Sequence, residues 1–180
     1  MHETFLLDTN TFIEAEFLWY PHTHFSGVWH WLEQETGNGN IKSIDKVYSE
    51  IAASSNYENA DKAPGRNFLH DWAKEHKPAF VQSNDAFAKH SPEMMRVLKD
   101  GGAKESAINK FMGKAKAADP YLIAVAKENG WILVTMENSN NATDFKKGKI
   151  KIPDVCRKMD VKCMPLYMIW NDSAPNFVQA

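Results

Sequence analysis

Two apolar runs in this chain each end in an acid, and no other feature constrains the fold as much. Phe5-Leu6-Leu7 stops at Asp8-Thr9-Asn10, and Trp131-Ile132-Leu133-Val134 stops at Thr135-Met136-Glu137. Short apolar runs bounded by polar residues suit strands buried on both faces, as in a parallel sheet. Residues 41–44, 80–81 and 161–164 read as further short strands.

Between the strands the signals are helical. Thr9 and Asn10 are helix-start residues. An aromatic stretch over 17–32 is interrupted by Pro21, which predicts two short helices with a break. Gly37-Asn38-Gly39-Asn40 is a turn. Asp45 caps a helix in which Val47 and Ile51, four apart, share a face, with Glu50 at its edge. Residues 54–66 read as a polar loop, 67–75 as a helix, 83–103 as a helix ending at Gly101-Gly102, and 104–116 as a basic helix. Asp119 as N-cap and Pro120 at the first helical position open the clearest helix, which Gly130 stops. A short helix over 155–158 precedes the last strand. This alternation argues for a parallel sheet covered on both faces, with ligands at the carboxyl ends of the strands.

The 180 residues suit one domain, 1–180, and 43% hydrophobic content argues against disorder. No apolar run approaches the roughly 18 residues of a membrane span. The start, MHETFLLDTN, lacks a secretory pattern, so a cytoplasmic protein is expected. Cys156 and Cys163 fit no zinc pattern and read as two reduced thiols. Residues 1–60 carry nine acids and two lysines; residues 61–180 carry fourteen acids and nineteen basic residues. That asymmetry describes surfaces rather than fold.

Asp8 and Glu137 end strands, Asp119 starts a helix and Glu50 lies on an early one, so a parallel sheet turns them toward one edge. Carboxylates gathered in one cleft repel each other, and a divalent cation relieves the repulsion. Oxygen ligands select a hard ion, Mg²⁺ or Mn²⁺, which can activate water and stabilise a phosphodiester transition state. Singly, each acid has an ordinary explanation as a cap, a turn residue or a solvated side chain; their conjunction favours a site.

In that order, LLDTN, the acid in VYSEI, ADPYLIAVA and LVTME resemble a PIN domain, and are similar to VapC-type toxins of bacterial toxin–antitoxin pairs. WYPHTHF, the long ADPYLIA motif and IPDVC resemble more closely a PIN-like subfamily catalogued as a domain of unknown function. The resemblance implies a three-layer α/β/α sandwich with a central parallel sheet. It also implies metal-dependent ribonuclease activity, with Asp8, Glu50, Asp119 and Glu137 as the catalytic acids. Asp8, Asp119 and Glu137 would hold the metal; Glu50 would hold metal or orient water. Asn10 matches the polar residue that supports the first acid, and Thr135 the hydroxyl before the last. Glu137 departs from the commoner Asp, and Asp144 is a substitute or additional acid. If the chain is a toxin, a small antitoxin protein is expected over the cleft; a homodimer is the other protein partner considered.

Lysines concentrate in 99–116 and 146–162. Lys146, Lys147, Lys149 and Lys151 are the candidate contacts to an RNA backbone, against the alternative of a solvated surface. The aromatics of 17–31 read as core packing before base stacking or a partner groove, and His22, His24 and His30 as surface or structural residues. Two other functions compete: a non-catalytic RNA- or protein-binding module on the same fold, and a metal-dependent phosphatase or DNA nuclease.

Overall fold

The structure, a computed structural model, describes residues 3–54, 64–113, 117–139, 145 and 149–171. The expected strands become β1 (Phe5–Leu7), β2 (Ile41–Ile44), β3 (Phe80–Val81), β4 (Ile132–Val134) and β5 (Cys163–Met164). They form one parallel sheet in the order β3-β2-β1-β4-β5. Leu6 pairs with Lys42 on one side and Leu133 on the other. Leu6, Leu7, Leu133 and Val134 are buried, as a sheet covered on both faces requires.

The strand order dictates the layers. From β1 the chain steps outward to β2 and β3, then crosses back to β4 and out to β5. Right-handed crossovers put helices from the two directions of travel on opposite faces. One layer is α1 (Thr9–Glu14), α2 (Ser26–Gly37), α3 (Asp45–Ser54) and α4 (Pro64–Glu75). The other is α5 (Asn84–Asp100), α6 (Glu105–Met112), α7 (Asp119–Asn129) and α8 (Ile152–Lys158). The protein is therefore the expected three-layer α/β/α sandwich with a central parallel sheet.

Helix α7 is the most buried of these, with Leu122, Ile123, Ala124, Val125 and Ala126 all inside. Gly130 ends it in the left-handed region, φ 67°. Its start lies one residue earlier than expected: Ala118 is the N-cap, and Asp119 is already helical. The last strand is shorter than expected. Asp160 takes a left-handed φ of 55°, and Val161 N–H closes onto Cys156 O, so residues 160–161 form the exit turn of α8. Helix α4 begins at Pro64, inside the expected loop, where proline suits a first turn. Helix α6 stops at Met112, and residues 114–116 of the expected basic helix lie outside the described residues.

The aromatic stretch holds the largest departure. Helix α1 runs into a π-helical turn, Ala15–Trp19, closed by Tyr20 N–H on Ala15 O at 2.6 Å. Buried Glu16 accepts from His22 N–H (3.0 Å) and meets its ring Nδ1 (2.6 Å), which folds the chain back after Pro21. His22 is structural, stacked on Phe68. Trp29 and Trp31 pack inside, whereas Phe17, Leu18, Trp19 and Phe25 are exposed, so the expected core packing holds for only part of the stretch. Among the described residues no helix is long and apolar enough to cross a membrane. Cys156 and Cys163 are both free thiols.

Gly101 shows how tightly the end of α5 is packed. It takes Phe145 N–H on its carbonyl at 2.7 Å, and a Cβ there would sit 2.4 Å from the Phe145 ring. Gly101→Ala is expected to displace Phe145 and destabilise the protein by about 1–3 kcal/mol, measured by urea denaturation.

Candidate active site

Strands β1 and β4 lie side by side where the sheet changes its direction of travel, the place where open α/β sheets bind ligands. Their carboxyl ends set Asp8 beside Thr135. Asp8 N–H continues the ladder onto Val134 O at 3.1 Å, while its side chain caps α1.

Asp8 is 1% exposed, and three donors converge on its carboxylate. Oδ1 accepts from Thr11 N–H at 2.6 Å and from Thr11 Oγ1–H at 2.5 Å; Oδ2 accepts from Thr135 Oγ1–H at 2.5 Å. An ionised carboxylate offers about four acceptor positions, so this pattern fixes the group and leaves one open. Burial nevertheless pushes its pKa from 3.8 to about 6 against those hydrogen bonds, and the charge of Asp119 adds to the rise.

Asp119 stands at the mouth of α7. Its pKa is also raised to about 6, first by burial, then by Glu137 and Glu50, with Lys149 acting the other way. Its carboxylate takes a hydrogen bond from its own backbone N–H. No donor from another described side chain is directed at it. Among the described donors, Asp119 receives the fewest of the four acids.

Glu50, on α3, bridges the other two elements. Thr9 Oγ1–H donates to its Oε2, and Ala118 N–H donates to Oε1 at 3.1 Å. It thereby ties the start of α1 to the start of α7. Glu137 is anchored differently: Lys151 Nζ donates to Oε1 at 2.9 Å, Ile152 N–H at the start of α8 donates to Oε2 at 3.0 Å, and Lys149 Nζ lies 3.7 Å from Oε1.

The four sequence-selected acids therefore share one electrostatic neighbourhood, but in different states. Among the described residues no three acidic, histidine or cysteine side chains stand close enough to form a preformed metal cluster. The donor chemistry suits a hard divalent ion. The oxygens are carboxylate, Asp119 is open, and the charges of Glu137 and Glu50 add to burial in raising its pKa. Glu137 takes one hydrogen bond on each oxygen, which leaves acceptor positions for a ligand, while the Lys151 ammonium offsets its charge.

Other expectations resolve unevenly. Thr135 does support Asp8, but Asn10 is exposed and donates nothing to it; Thr11 takes that role. As N-cap of α1, Asp8 accepts from the third residue on, Thr11, whose hydroxyl lies on the same side. Thr9 and Thr11 were not selected from the sequence, although DTNT carries that capping signal. Lys149 and Lys151, expected on RNA, lie against Glu137. Lys146, Lys147 and Asp144 lie outside the described residues. Asp154, unselected, is buried and takes Ser139 Oγ–H (2.6 Å) and Arg157 Nη2–H (2.5 Å).

The sequence matches the family model described as "Domain of unknown function (DUF4411)" over residues 5–177. The chain belongs to that family. Comparison with curated proteins finds no match. Among solved structures, the chain is similar to one in the structure of FitAB bound to an IR36 DNA fragment. The similarity has a TM-score of 0.50 and 17% identity, and covers 90% of this chain and 94% of that one. The likeness is one of fold, and the sandwich is PIN-like.

The raised pKa values have a thermodynamic consequence. A carboxyl with a folded pKa of about 6 and an unfolded value near 3.8 binds its proton more tightly when folded. Protonation thus favours folding, and that stabilisation fades as pH rises through 6. In metal-free buffer at about pH 7.5, Asp119→Asn is expected to stabilise folding by about 1–3 kcal/mol, raising Tm by about 2–4 °C per kcal/mol. Near pH 4 the gain should vanish; a calorimetric pH series checks both.

Proposed function

We propose that this protein is a Mg²⁺- or Mn²⁺-dependent endoribonuclease, the toxin of a toxin–antitoxin pair. The observation that carries the reading is the state of Asp119. It is an open carboxylate at a sheet switch point, held in the field of Glu50 and Glu137 and felt in turn by Asp8. The PIN-like sandwich and the resemblance of the four motifs to PIN nucleases support the same reading.

Asp8 and Asp119 would hold the cation, which when bound supplies an activated water and stabilises charge on the scissile phosphate. The chain's own residues do the positioning. Thr11 and Thr135 fix the Asp8 carboxylate in one orientation. Glu50 holds the start of α7 through Ala118 N–H, and so places Asp119. Glu137 keeps Lys151 and Lys149 at the rim, where the exposed Lys149 is placed to meet a phosphate.

The exposed Phe17, Leu18, Trp19 and Phe25 offer an apolar surface to a protein partner, which fits an antitoxin. Because FitAB was solved with DNA and identity is low, a DNA arm belongs in the test.

The experiment is cleavage of single-stranded RNA and DNA with Mg²⁺ or Mn²⁺, comparing wild type with Asp8→Asn and Asp119→Asn. RNA cleavage is expected to fall by more than about 100-fold in both variants, and by about 10- to 100-fold in Thr135→Val. Equal activity in wild type and Asp119→Asn would sink the catalytic assignment, and cleavage of DNA alone would move the substrate class.

A further inference from the structure

On the β2 side of the acids, the carboxyl edge of the sheet carries a second group of side chains. Strand β2 leads into α3 and β3 into α5, so the first turns of both helices lie at this edge, as does the first turn of α7. Ser83 Oγ–H donates to Asp45 Oδ1 at 2.5 Å and ties the entries of α3 and α5 together. Each first turn supplies one member of a cluster: Lys46 from α3, Phe87 from α5 and Tyr121 from α7. All three are half-buried.

The Phe87 and Tyr121 rings stack, with centroids 4.0 Å apart and planes 20° apart. Lys46 Nζ lies over the Tyr121 ring, 4.9 Å from its centroid. Phe87 fills one face of that ring at van der Waals distance, so the ammonium covers the other. Among the described residues no carboxylate pairs with Lys46.

The cluster adjoins the acids. Tyr121 is two residues beyond Asp119. Lys46 and Glu50 are one helical turn apart and share a face of α3. That face meets the start of α7 twice, through Glu50 on Ala118 N–H and through Lys46 on Tyr121. The acids are thus flanked by a cation on each side: Lys46 toward β2, and Lys149, 3.7 Å from Glu137, toward β4.

Resting on the ribonuclease reading, we infer that Lys46 and Tyr121 form the subsite for a nucleotide flanking the scissile bond, and that the strand is unpaired there. The Lys46 ammonium leaves the ring for that nucleotide's phosphate, a charge-assisted contact. The move uncovers a Tyr121 face already backed by Phe87, and the base stacks on it. A base inside a duplex has both faces covered by its neighbours and cannot use the ring, so the subsite selects single strands.

The test is steady-state cleavage of a short single-stranded RNA with Mn²⁺, with the melting temperature of each variant measured alongside. Lys46→Gln is expected to raise KM roughly tenfold, to leave kcat within about twofold, and to lower the slope of log KM against log salt by about 0.7, one phosphate contact. Tyr121→Leu is expected to raise KM by roughly tenfold as well, and Tyr121→Phe, which keeps the ring, to match wild type. Abasic nucleotides placed one position at a time should raise the KM of wild type at a position flanking the cut, and that position should be silent in Tyr121→Leu. With an active wild type, an unchanged KM and salt slope in Lys46→Gln would overturn the subsite and leave the ribonuclease reading standing. So would an abasic scan with no such position, or one whose effect persists in Tyr121→Leu. Absence of RNA cleavage by wild type would overturn that reading, and the subsite with it.

Discussion

The parallel pairing of β1 with β4 is the contact on which the rest of this molecule depends. It joins residues more than a hundred positions apart and places Thr135 against Asp8. Without it Asp8 would be an ordinary solvated helix cap. With it, the carboxylate is driven inside, and the three donors that hold it become obligatory, since a buried ion without hydrogen bonds is strongly disfavoured. The same pairing fixes the switch point, because helices on opposite faces diverge there and leave the carboxyl ends of both strands uncovered.

Repulsion among the acids then sorts them into roles. Burial raises Asp8 and Asp119 together, and each acid's charge adds to its neighbour's difficulty. Glu50 and Glu137 take donors from the backbone: Ala118 N–H for one and Ile152 N–H for the other. These bonds make them braces between helices while their charges still act on Asp119. The site is thus a pair of uneasy carboxylates between two anchored ones. A cation placed at Asp119 would meet the charges of Glu137 and Glu50 that act on it, and would relieve Asp8 of Asp119's charge.

Much of this was legible in the sequence. All five strands were visible as short segments, and β1 and β4 as apolar runs, since the centre of a doubly covered sheet leaves little choice of residue type. The four acids were visible because strand ends and helix starts mark the functional edge of such a sheet. The details that escaped depend on pairs remote in sequence or on backbone geometry. The Glu137–Lys151 pair needs α8 folded against β4, and nothing in LVTME announces it. Asn10 came from motif likeness, whereas the role of Thr11 shows only once Asp8 is seen to cap α1 at the third residue on. The π-helical turn at Ala15–Trp19 depends on Glu16 finding His22 after Pro21, a contact that helical periodicity does not encode. The exposed aromatics around that turn follow from the same contact.

The central claim is that Asp8 and Asp119 together hold a divalent ion. A crystal structure of the Mn²⁺-soaked protein, with the metal located by anomalous scattering, tests it directly. The account predicts one Mn²⁺ bonded to a carboxylate oxygen of both Asp8 and Asp119, at about 2.0–2.3 Å as oxygen ligands of small divalent ions require, and no such peak in Asp119→Asn. Mn²⁺ bound elsewhere, or an empty acidic edge at saturating metal, would contradict it.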